Sequence, residues 1–201
     1  LLIKLINNIR KEVNPMADVA LIAGSPSHWS RSSAVLAQLE GILQRRGLST
    51  YSLQVRDLPA ADLLYANFES PAIKAATQEI EAASAVVVGT PIYKAAYSGV
   101  LKVFLDLLPQ RVLAGKVVLP VATGGSSSHL LAIDYALKPV LAALGARYVL
   151  AGVYVLDSQL QGSAGQGYTL IDTSITQRFD SAVEELVGGV PGSPALLSQA
   201  I

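Results

Sequence analysis

Short apolar runs alternate along this chain with stretches in which hydrophobic side chains return every three or four positions. Val19-Ala20-Leu21-Ile22-Ala23 has no polar residue and stops at Gly24, the pattern of a strand buried on both faces of a parallel sheet. Ser33 to Arg46 then places Val35, Leu36, Leu39 and Leu43 on one helical face and ends at Gly47. Thr50 to Val55 predicts a second strand. Ser70-Pro71 predicts a helix start, with a capping serine and a proline at the first helical position. Ala85 to Gly89, nearly all valine, predicts the third strand, and Ser98 caps a helix expected to reach Leu108, before Pro109. Lys116 to Ala122 predicts the fourth strand and His129 to Leu144 the fourth helix, ended by Gly145. Tyr148 to Val155 and Thr173 to Val187 predict the fifth strand and the last helix.

This alternation predicts an α/β domain, a five-stranded parallel sheet with right-handed crossovers and helices on both faces. The result is a doubly wound, three-layer sandwich. The domain is expected over residues 16–187. Leu1 to Pro15 joins a short apolar patch to Lys4, Arg10 and Lys11, and reads as an N-terminal extension before Met16. It is too short and too charged to span a bilayer. Residues 188–201, with Gly188-Gly189, Pro191-Gly192 and Pro194, read as a flexible C-terminal tail. Gln159 to Tyr168 contains four glycine or alanine residues and reads as a mobile stretch.

Composition narrows what this scaffold does. Fifteen basic side chains balance fifteen acidic ones, which gives no electrostatic reason to expect nucleic acid or a membrane as partner. The absence of cysteine excludes disulfides, thiolate chemistry and Cys-ligated metals, and fits a reducing cytoplasm. His28 and His129 are the only histidines, too few for a histidine-rich metal site. The chain offers no nucleophile–base pair and no metal-ligand cluster. No catalytic side chain and no metal ligand are therefore expected.

In doubly wound sheets ligands sit beyond the carboxyl ends of the strands, which directs attention to three loops. The first, Gly24-Ser25-Pro26-Ser27-His28-Trp29-Ser30-Arg31-Ser32-Ser33, leaves a strand and opens a helix. Its last amides stand at the positive end of a helix dipole, and Ser25, Ser30, Ser32, Ser33 and Arg31 add hydroxyls and charge. A phosphate monoester would be well satisfied there. The loop matches neither G-x-G-x-x-G nor a Walker loop; an ordinary serine-capped turn is the alternative, but these four serines and the arginine in this one position favour phosphate binding. In the second, Thr90 to Gly99, a hydrophobic ligand edge can rest on Pro91, Ile92 and Tyr93, unless the tyrosines merely cover the sheet end. In the third, Thr123-Gly124-Gly125-Ser126-Ser127-Ser128-His129, paired glycines permit close backbone approach to a planar ligand. His129 either donates to that ligand or serves a local backbone group.

At these loops the sequence resembles the NADPH-dependent FMN reductase family, which has the flavodoxin-like fold. The resemblance runs from about Asp18 to Val187. It rests on Ala23-Gly24-Ser25-Pro26 with Ser30-Arg31-Ser32-Ser33, on Thr90 to Gly99, and on Ala122-Thr123-Gly124-Gly125. The run His129-Leu130-Leu131-Ala132-Ile133-Asp134-Tyr135-Ala136-Leu137-Lys138-Pro139-Val140-Leu141 is similar to the FMN reductases of alkanesulfonate-utilisation systems. The resemblance implies FMN with NADPH or NADH, and a reduced flavin that leaves for a partner monooxygenase. It implies that Ser25, Ser30, Arg31, Ser32 and Ser33 hold the phosphate. Pro91, Ile92, Tyr93 and Lys94 would line the isoalloxazine, with Gly124, Gly125 and Ser126 at its pyrimidine side.

By the same resemblance Tyr135 produces a π-type bulge at a subunit interface of dimers or tetramers, and is linked to using flavin as a substrate. The residues agree that this helix is irregular, since Pro139 removes an amide inside it; ordinary packing of Tyr135 beside a proline kink is the alternative. Two other functions share the scaffold. One is an FMN-containing quinone, azo-dye or metal-ion reductase; the other is a flavodoxin-like electron carrier, against which the neutral charge counts.

Overall fold

Five consecutive residues without a polar side chain, Val19–Ala23, form β1, and all five are buried. In the computed structural model, which describes residues 17–188, β1 lies inside a mostly parallel sheet, one strand from its edge. The N-terminal extension and the tail beyond Gly188 lie outside the described residues. β2 (Thr50–Gln54) and β3 (Ala85–Tyr93) flank β1, with Val19 opposite both Thr50 and Ala85. β5 (Val117–Gly124) follows β3, and the far edge is formed by β6 (Tyr148–Val149) and β7 (Val153–Leu156). β4 (Ala96–Tyr97) is a short antiparallel return on the end of β3. The parallel order is β2-β1-β3-β5-β6/β7; with β6 and β7 counted as one and β4 set aside, this is the 2-1-3-4-5 order of the flavodoxin-like fold.

Strand side chains alternate between two cores, as the period of two requires. Val19, Leu21 and Ala23 pack with helices α1 (Arg31–Arg45) and α6 (Thr173–Gly188). Ala20 and Ile22 face α3 (Pro71–Ala82), α4 (Gly99–Leu105) and α5 (Lys138–Ala143), with the short α2 (Ala60–Leu64) at the margin. Two glycines let helices approach the strand ends that carry the loops. A Cβ on Gly89 would lie 2.3 Å from Leu36 of α1, and one on Gly24 would lie 2.6 Å from Leu101 of α4. Lys116 closes the far end of α3 by donating from Nζ to the carbonyls of Glu81, at 2.7 Å, and Ala83. Burial holds that ammonium below its ordinary range.

Several boundaries differ from the sequence expectation, each for a physical reason. The fifth strand is broken at Leu150–Gly152. Val118 pairs with Val149 and Val121 with Val153, so two residues of β5 face three on its neighbour, a bulge. Opposite it stands Pro120, which has no N–H to give the ladder; Gly152 takes φ +91 there, where a Cβ would lie 2.9 Å from the Pro120 carbonyl. Gln159 to Tyr168, expected as a mobile stretch, instead contributes to a hairpin of β8 (Leu160–Ser163) and β9 (Gly167–Leu170). Its glycines fit the hairpin: Gly165 in the turn, Gly167 just after it and Gly162 within β8 all have positive φ.

Ser70 precedes α3 but does not cap it, because its hydroxyl donates to Asp62 at 2.7 Å. α1 begins earlier than expected, since Ser30 outcompetes its neighbours as cap. α4 ends at Leu105, ahead of Leu108, the residue that Pro109 disfavours as helical. The fourth helix is divided: a tight turn over Ser127–His129, a π-helical turn over Ile133–Leu137, then α5.

Candidate functional site

The carboxyl ends of β1, β3, β5 and β7 converge on one open cleft of about 230 Å³. Its floor is the first turn of α1. Ser30 is the cap: its Oγ accepts from the Ser33 amide at 3.2 Å and lies 2.9 Å from Ser32 Oγ, while its carbonyl accepts from the Ala34 amide. The Arg31 and Ser32 amides have no carbonyl above them in the helix and point along its axis, where a helix attracts anions. Ser25 and Ser32 are buried and line the cleft beside Ser30, and Ser25 Oγ accepts from the Ser27 amide at 3.2 Å.

Not every candidate serine joins them. Ser33 belongs to the same turn, but helical phase carries its hydroxyl away to β2, where it donates to Gln54 at 3.1 Å and accepts from Arg56 at 3.3 Å. Arg31 lines the cleft, yet its guanidinium is already engaged. Nη1 stands 3.6 Å from Asp157 Oδ2, and the group lies 4.7 Å from the centre of the Tyr168 ring on β9.

The apolar wall comes from the end of β3. Pro91, Ile92 and Tyr93 line the cleft, and Tyr93 is 50% exposed. Beyond Tyr93 the chain reverses through Lys94 and Ala95, at φ +50 and +64, before β4. Positive φ at both central positions is the type I′ turn, whose twist suits a hairpin. Lys94 therefore stands exposed at the tip, outside the cleft lining. The wall is braced from beneath: the Ser98 amide donates to Thr90 Oγ1 at 3.0 Å, and the Ser98 hydroxyl donates to the Gly24 carbonyl. That last bond ties the end of β1 to the start of α4.

The third side uses its two glycines differently. At Gly124 a Cβ would lie 2.1 Å from Tyr154 Oη, so the vacant space is filled by that tyrosine. Both glycines border the cleft; Gly125 is exposed, and only Asp157 Oδ2 would come within 4 Å of a Cβ there. The Tyr154 hydroxyl donates to the Ser126 carbonyl at 2.9 Å, fixing the loop. Burial, and then the Asp157 charge, push this phenol above its ordinary value. Ser126 itself accepts from the Ser128 amide, and neither Ser126 nor His129 lines the cleft. Tyr135 lies on the π-helical turn, outside the cleft lining and 79% exposed.

Sequence reasoning missed four lining residues: Ser27, Trp29, Thr123 and Asp157. Trp29 is 53% exposed; the usable signal was the chain's one tryptophan standing in a polar strand–helix loop. Asp157, at the carboxyl end of the edge strand, was marked by the same rule that drew attention to the other loops.

The lining fits a phosphate ester joined to a flat ring. Buried hydroxyls, an arginine and free helix amides share the cleft with proline, isoleucine, two half-exposed aromatics and a bare glycine.

The sequence has known relatives. A family model described as NADPH-dependent FMN reductase matches residues 17–161. An FMN reductase (NADPH) of Pseudomonas putida is 47% identical over 83% of this chain and 84% of its own length. An FMN reductase (NADPH) of Escherichia coli is 52% identical over 71% of this chain and 74% of its own. Among solved structures, an apo NADH:FMN oxidoreductase superposes with TM-score 0.76 and 34% identity, covering 89% of this chain and 92% of that one.

Proposed function

The chain belongs to the NADPH-dependent FMN reductase family, and from that premise we propose how its cleft works and where its product goes. It is an oxidoreductase that uses FMN with NADPH or NADH. The single observation that carries the reading of the cleft is the junction of two chemistries in one space: the buried serines of the α1 turn and the Pro91–Tyr93 wall.

In this reading Ser25, Ser30, Ser32 and the Arg31 and Ser32 amides hold the phosphate, with Arg31 as the cation. Ser33 supports the turn from behind through Gln54. Pro91, Ile92, Tyr93 and Trp29 flank the ring, and Gly125 leaves backbone within reach of its polar edge. Ser126 and the exposed Lys94 border this arrangement. Bound FMN supplies the ring that accepts a hydride from the nicotinamide. The protein's own part is to position and shield, which needs no acid, base, nucleophile or metal.

The reduced flavin is delivered to a partner monooxygenase that desulfonates alkanesulfonates, in the cytoplasm. The sequence of the fourth helix supports this, as does the π-helical turn that occupies it. Leu130 and Leu131, just before the turn, are exposed together with Tyr135 on it, which supports a homo-oligomer, dimer or tetramer, meeting at this surface. Among the described residues no helix is long and apolar enough to cross a membrane.

A coupled assay tests the delivery. The protein, NADPH, catalytic FMN and an alkanesulfonate monooxygenase are combined with an alkanesulfonate, and sulfite is measured. Sulfite formation that depends on this protein is expected. FMN reduction without sulfite would remove the alkanesulfonate role and leave the reductase.

A further inference from the structure

Among the described residues that line the cleft, Arg31 is the one cation and Asp157 the one anion. They face each other at 3.6 Å, while Tyr168 stacks on the same guanidinium from the hairpin that packs along α1. The backbone at Asp157 is fixed. It opens the tight turn Asp157–Gln159, held by the Leu156 amide donating to Gln159 Oε1 at 2.8 Å, and Gln159 is anchored in turn on Asp172. Its carboxylate lies along Gly125 with no side chain between them.

An exposed pair of this kind adds little to folding. Its effect falls on ligands instead. A phosphate monoester carries up to two negative charges at neutral pH. Entering the α1 turn, it meets an arginine already paired and a carboxylate of its own sign. From this we infer that Asp157 is an affinity-setting residue: it competes with the FMN phosphate for Arg31 and repels it, so that flavin binds weakly enough to leave. The inference rests on the FMN reading above. It assigns flavin exchange a determinant inside the cleft, separate from the surface that carries Tyr135.

The test measures dissociation constants for FMN and for riboflavin, which lacks the phosphate, by quenching of flavin fluorescence. Asp157→Asn keeps size and removes charge. It tightens FMN about tenfold, equivalent to about 1.4 kcal/mol, a change in the range expected for partly screened charges a few ångströms apart. Riboflavin affinity changes by much less, since the carboxylate meets that ligand only where it borders Gly125. The gain shrinks as salt is raised, and shrinks again in an Arg31→Gln background, where there is no arginine to release. An unchanged or weaker FMN affinity in D157N overturns the inference, as does equal tightening of both flavins. If wild-type protein quenches neither flavin, the FMN reading and this inference fall together. If wild type binds FMN and D157N does not alter it, only the inference falls.

Discussion

The Tyr154 hydroxyl stands in the space that a side chain at Gly124 would need. It donates to the Ser126 carbonyl at 2.9 Å, and a Cβ on Gly124 would lie 2.1 Å from the same oxygen. The two positions therefore constrain each other across β5 and β7, and together hold the third loop at the mouth of the cleft.

Gly124→Ala is expected to destabilise the protein by about 1–3 kcal/mol through overpacking, and to weaken FMN binding by displacing Gly125. Tyr154→Phe removes one hydrogen bond, at about 1 kcal/mol. In the double variant the closest atom is gone, so the alanine costs less than in the wild-type background. Chemical denaturation of the four proteins measures this coupling. Simple additivity would show that the two residues do not share the space.

The serines of the α1 turn divide by function. Ser30→Ala removes the cap, costing about 1 kcal/mol of stability, and loosens the amides that face the ligand, so FMN affinity falls with it. Ser33→Ala leaves FMN affinity close to wild type, because that hydroxyl is turned to Gln54 and Arg56. Titrating both variants with FMN separates the roles. A larger loss for Ser33→Ala would place its hydroxyl on the phosphate.

The Asp172 carboxylate accepts from the Ser174 hydroxyl at 2.6 Å, the Ser174 amide at 2.8 Å and Gln159 at 2.8 Å. The Ser174 hydroxyl, followed by Gln159, holds it below its ordinary 3.8. The folded state thus binds fewer protons than the unfolded chain just below that value. The stabilisation is complete above pH 3.8 and is lost as pH falls through the lower, folded value. Thermal melts of wild type and Asp172→Asn should differ at neutral pH and converge in acid. A gap that stays constant with pH would assign the difference to packing.

What the sequence made legible was local. β1 could be read because five adjacent apolar residues have few other fates, and the face of α1 because Val35, Leu36, Leu39 and Leu43 recur at helical spacing. The features that escaped are set by partners distant in the chain. The break in the fifth strand comes from Pro120 on its neighbour. The hairpin after Asp157 pairs Leu160 with Leu170 across glycines that, read singly, resemble a loop. Ser30, Ser32 and Ser33 are alike in sequence and separate only once the helix sets their phase. The carboxyl-end rule marks Asp157, but its place beside Arg31 depends on β7 pairing with β5, which no motif records.

The most direct test of the central claim is the rate of NADPH oxidation by flavin-stripped protein as free FMN is added. A flavin-reducing enzyme gives a rate that rises from near zero and saturates with FMN, with reduced flavin recovered in the anaerobic ultrafiltrate. Full turnover towards a quinone from flavin that never leaves the protein, indifferent to added FMN, would contradict it.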